Sequence, residues 1–185
     1  MKIFPAAMFM LLCAMPAYAQ RDAVSADLSP EIAGQVFVRT VTEVCVPAVT
    51  GKSVGSLGAV KDGKLRPTQD ADTRKQADAL ASETVWDVMD GKGVVTVRET
   101  SGGACIVSVY GAPAKPAIDG VVQALKALPD TRDVRPVTIN PLKQATTFQT
   151  GAQKIVVEVI GSEPGAPGHQ SRFSVVTARM VPIRQ

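Results

Sequence analysis

Two cysteines, Cys45 and Cys105, constrain this 185-residue chain more than any other feature. A third, Cys13, lies in an N-terminal stretch with the three parts of a secretory signal. Lys2 supplies the positive start, Ile3 to Met15 is apolar apart from Pro5, and Ala17-Tyr18-Ala19 matches an A-x-A cleavage site. Cleavage before Gln20 removes Cys13 and leaves an even pair in an exported protein, which reads as a disulfide with a single possible connectivity. Closing a loop of sixty residues contributes about 4 kcal/mol in the chain-entropy description, a large share of a total stability of roughly 5–15 kcal/mol. Two alternatives stay open: an uncleaved anchor instead of a signal, and two buried thiols instead of a bridge. Lipidation at Cys13 requires a small residue before it, and Leu12 occupies that place.

The two cysteines sit in different kinds of pattern. Ser29 reads as an N-cap, with Pro30 at the first helical position and Glu31 in the first turn. Ile32, Val36, Phe37, Val41, Val44 and Cys45 follow at helical spacing until Pro47. Cys105, Val107 and Val109 instead alternate on one face of a strand over 104–110, after a partner strand over 94–98 and a turn at Ser101-Gly102-Gly103. A Cys45–Cys105 bridge therefore ties a helix to a sheet. Between these elements, residues 48–72 read as an irregular excursion and Thr73 as the cap of a short helix reaching about Thr84.

Downstream, Ile118, Val121, Val122, Leu125 and Leu128 make the clearest amphipathic helix, framed by Pro116 and Pro129. Residues 129–143 read as a polar, proline-punctuated connection. A hairpin over 144–149 and 154–160 turns at Thr150-Gly151-Ala152, and a Gly/Pro-rich loop over 161–170 leads to a last strand over 172–180. The expected domains are a cleaved signal at 1–19, a leader at 20–29 and a single α+β domain at 30–185. Its expected fold is one antiparallel sheet of about five strands with two or three helices on one face.

Twenty basic residues against seventeen acidic ones give a net charge of +3, too small and scattered an excess for a nucleic-acid partner. A mean hydropathy of +0.12 with one long apolar stretch excludes a polytopic membrane protein, and no stable span is expected after signal cleavage. No P-loop, dinucleotide fingerprint or nucleophile elbow occurs, and the glycines at 51, 55 and 58 lack the Lys-Ser/Thr that follows a phosphate loop. No metal and no cofactor are expected, because the single histidine, His169, has few companion ligands once the cysteines pair. Asp70 and Asp72 lack the glycine and glutamate of a calcium loop.

The candidate ligand or partner contacts are Trp86, Asp87, Tyr110, His169 and Arg172. Trp86 and Tyr110 suit either a pocket or the core. Asp87 and Asp90 form either a carboxylate pair for acid–base work or a turn into the next strand. Arg172, Arg179 and Arg184 give the last strand a basic rim, which ordinarily deters strand pairing.

Val41 to Cys45, Val85-Trp86-Asp87, Gly103-Ala104-Cys105-Ile106-Val107 and the helix from Ile118 together resemble a family of small secreted proteins and lipoproteins of Gram-negative bacteria. The resemblance covers about residues 32–128. It implies export and a Cys45–Cys105 bridge, and it carries no activity or catalytic residue. The chain departs from members that keep a lipidation cysteine. The expectation is a non-enzymatic periplasmic or secreted protein that binds an envelope protein or another envelope component, through a strand edge or the 161–170 loop. The alternatives are a small-molecule binder with a cleft near Trp86 and Tyr110, and a hydrolase using Asp87 or Asp90.

Overall fold

The computed structural model describes residues 28–164 and 173–183; the signal, most of the leader, His169, Arg172 and Arg184 lie outside them. The fold is α+β, with a single eight-stranded antiparallel sheet in the order β1-β2-β3-β4-β8-β7-β6-β5. The strands are β1 (Leu65–Pro67), β2 (Thr84–Val88), β3 (Val95–Glu99), β4 (Cys105–Tyr110), β5 (Thr131–Asn140), β6 (Lys143–Thr150), β7 (Gln153–Ser162) and β8 (Val175–Pro182). Helix α1 (Pro30–Val49) and helix α4 (Ala114–Ala127) pack on one face. Short helices α2 (Gly58–Lys61) and α3 (Ala71–Gln76) interrupt the segment between α1 and β2.

Helix α1 starts as its sequence dictates: the Ser29 hydroxyl accepts from the Ile32 N–H at 3.3 Å, and Pro30 spends no needed donor. Its inner stripe is Ala33, Val36, Phe37, Val41, Val44 and Cys45, while Ile32 faces outward. The middle widens into a π turn at Val41–Cys45, and the helix then runs through Pro47 to Val49 rather than stopping there. Pro47 opens the last segment, where a missing N–H costs little. By length and mean hydropathy of 1.3, α1 alone among the described residues is apolar enough to cross a membrane, yet half of that window is buried in this fold.

The core lies between these helices and the inner face of the sheet. Val97, Val107, Ala178 and Val159 form one register row beneath them, and Cys105, Met180 and Val157 form the next. Cys45 and Cys105 are joined by a disulfide with a Cα–Cα distance of 5.3 Å, so the helix-to-sheet tie is present. Ile118, Val121, Val122 and Leu125 of α4 are all buried.

The sheet has eight strands, not about five, and each additional strand has a physical reason to be hidden in the sequence. The 129–143 connection holds β5, a ten-residue edge strand. An edge strand tolerates Pro136 and needs no apolar alternation. Strand β2 buries Val85, Trp86 and Val88, so it shows no period of two. β1 is three residues long and ends in Pro67. The short helix is also shorter than its pattern suggests. It is capped by Asp70, whose carboxylate accepts from the Thr73 N–H at 2.7 Å. It ends at Gln76, before Asp78 takes a φ of +50°.

Candidate binding surface

The two faces of the sheet are treated differently. The inner face of β3–β8 packs against α1 and α4, apart from the exposed Pro136 and Thr138 of β5, and Trp86 of β2 packs against Gly55. Over β2–β4 the outer face lies under the segment 68–83, which acts as a strap. The Glu83 carboxylate pairs with Arg98 at 3.2 Å and accepts from the Leu80 N–H at 3.0 Å. Arg74 donates to the carbonyls of Leu80 and Glu83, and Arg98 donates to that of Asp78. The strap buries Val85 and Thr96 on a face that would otherwise meet water.

Among the described residues, no element covers the outer face of β5–β8. Alternation places its residues in register. Arg179, Glu158, Ala145 and Val137 form one row across the four strands. Val181, Val156, Thr147 and Arg135 form the next. Val137 is 61% exposed and Ile160 41%. Lys143 and Glu158 form an ion pair at 2.7 Å, and Arg132 donates to the Gly151 carbonyl at 3.3 Å.

The free edges of the sheet are guarded. β1 is too short to recruit a long strand. β5 carries Pro136, two register shifts and a positive φ at Asp133, all of which interrupt a regular ladder. On the helical side, an apolar groove of about 670 Å³ runs between α1 and α4 past Gly34, Val38, Ala117 and Gly120. A polar hollow of about 860 Å³ opens between the β6–β7 turn and residues 129–132.

The residues singled out from sequence do not converge. Trp86 is 8% exposed and faces the core, with its ring 3.5 Å from where a Cβ on Gly55 would stand. Tyr110 lies on the opposite face, its hydroxyl 3.5 Å from the Gln76 carbonyl, so the two rings do not line one cleft. Asp87 is half-buried on the outer face, paired in register with Arg66 and Thr96. Asp90 sits in the following turn and pairs with Arg39 of α1. These carboxylates have separate surroundings and separate partners. Arg179 is exposed on the open face, but β8 lies between β4 and β7, so it is not the edge whose basic rim would deter strand pairing. Among the described residues, no group of three or more His, Cys, Asp or Glu is placed to hold a metal ion. Sequence reasoning missed the strap and the contribution of β5, and with them Arg132, Arg135 and Val137. Comparison with protein-family models, with curated proteins and with solved structures finds no match.

Proposed function

We propose that this is a non-enzymatic exported protein that binds another protein or an envelope component, and that the open face of β5–β8 is the contact. One observation carries the reading: half of the outer face is closed by its own strap, while the other half is left open with Val137 and Ile160 exposed. A surface of Val, Ile, Thr and Ala side chains framed by charge has the composition of an interface with a polar rim. The buried Cys45–Cys105 bridge supports an oxidising compartment, and the signal pattern supports export to the periplasm or beyond.

The test is cross-linking of the native protein in exporting cells, comparing the wild type with an Ile160→Glu/Val137→Glu variant. Both sites are exposed, so circular dichroism should report an unchanged fold. Loss of the cross-linked species supports the reading; retention at wild-type yield overturns it.

A second reading, capture of a small apolar molecule, is supported by the α1–α4 groove, whose volume falls in the range of ligand pockets. An Ala124→Leu variant, which fills the groove from a half-buried lining position, would favour it over the open face if it abolishes uptake of a fluorescent apolar probe at an unchanged circular dichroism spectrum.

A further inference from the structure

We infer that the open face selects an acidic protein surface. This rests on the reading just given, because it names the chemistry of the partner for the same face.

Every lysine and arginine in strands β5–β8 stands on that face: Arg132, Arg135, Lys143, Lys154 and Arg179. The inward positions of the same strands hold none. Two acids lie in these strands: Glu158 shares the face and is paired with Lys143, and Asp133 stands exposed in the β5 bulge between Arg132 and Arg135, so the five bases keep a clear excess. Among the described residues, Arg135, Lys154 and Arg179 make no ion pair and are exposed. Arg135 and Arg179 are three strands and one row apart. With strands about 4.8 Å apart and alternate residues about 6.8 Å apart, that separation is about 16 Å. Between them lie Glu158, Ala145, Val156 and Thr147. The result is a centre of Ala145, Val156 and Thr147 beside the neutralised Lys143–Glu158 pair, with Arg135, Lys154 and Arg179 around it, although the whole chain is only slightly basic.

Three occupants compete, and the side chains decide among them. A bilayer surface calls for apolar groups that reach about 5–10 Å into the headgroup region. This face offers short, branched side chains and no aromatic ring, so it cannot reach that depth. A second copy would bring the same cations together around a two-fold axis, where like charges repel. An acidic protein surface meets both demands: it neutralises the rim and lies flat on the centre. Rim cations then act chiefly on encounter rate and salt dependence.

The experiment places a photo-cross-linking residue at Ala145 of the full chain, with Gln35 in the helical groove as the control position. Both are irradiated in exporting cells and again in osmotic extracts at low salt and at about 0.5 M salt, where the screening length is only a few ångströms. The expected result is an adduct from Ala145 to an acidic protein, identified by mass spectrometry. Its yield should fall at least tenfold in an Arg135→Glu/Arg179→Glu variant and comparably in high salt. An adduct indifferent to both changes overturns the acidic partner while leaving the open face as the contact. No adduct from Ala145 overturns the open-face reading itself. A self-adduct of twice the chain mass, or co-sedimentation of the purified protein with phosphatidylglycerol vesicles that the double variant abolishes, replaces the acidic protein with a second copy or a lipid surface and overturns the proposal.

Discussion

A Cβ placed on Gly161 would lie 2.4 Å from the Cβ of Ala114. Strand β7 thus meets the first residue of α4 with no side chain between them. The contact sets how closely the helix can sit on the sheet. Gly161 has no left-handed backbone angle to justify it, so close approach is its whole reason. Gly161→Ala should lower stability by about 1–3 kcal/mol, the usual cost of overpacking. Urea denaturation would read this as a lower midpoint at an unchanged slope. A neutral result would mean that α4 shifts freely.

Gly120 poses the same question inside a helix. A Cβ there would stand 2.9 Å from Cγ2 of Val38, where α1 crosses α4. Replacing a mid-helix glycine by alanine ordinarily gains about 1 kcal/mol, but a stiff valine side chain in the way costs more than that. Gly120→Ala alone should therefore destabilise, by about 1 kcal/mol. In a Val38→Ala background the same change should stabilise. A double-mutant cycle by denaturant titration measures the reversal of sign.

These glycines show what a sequence displays and what it hides. α4 was legible because its apolar residues recur at helical spacing and its inner face is buried against a single layer. β4 was legible because Cys105, Val107 and Val109 alternate with half-exposed neighbours. Strand β2 was not, because the strap covers its second face and makes Val85 as buried as Trp86. β5 was hidden for the opposite reason: eight of its ten residues are exposed, so no burial pattern marks it. The candidate surface inherits that blindness. Arg179 was visible on a readable strand, whereas Arg132 and Arg135 lay in what looked like a connection. Only the sheet register brings the three to one face.

The Cys45–Cys105 bridge joins the π turn of α1 to the start of β4, and both residues are 1% exposed. Cys45→Ala/Cys105→Ala should cost about 4 kcal/mol from loop entropy alone. Chemical denaturation of the variant beside the oxidised wild type would show it. The variant should retain its far-ultraviolet circular dichroism at low temperature, since the core around Phe37 and Leu125 is otherwise intact. A loss below about 1 kcal/mol would show that helix–sheet packing fixes this geometry without the covalent tie.

Two ion pairs should respond by very different amounts to the loss of a carboxylate. The Glu83 side chain is 5% exposed and its partner Arg98 is 15% exposed. Glu83→Gln leaves a guanidinium charge under the strap without its counter-ion, and stability should drop by roughly 3 kcal/mol. Limited proteolysis should then cut first within residues 77–83, because the Arg98 and Leu80 contacts that hold the strap are weakened. The Arg39–Asp90 side chains are each 48% exposed, so Asp90→Asn should change stability by less than about 1 kcal/mol. Measured side by side, an equal loss at both positions would refute the strap as a buried electrostatic latch.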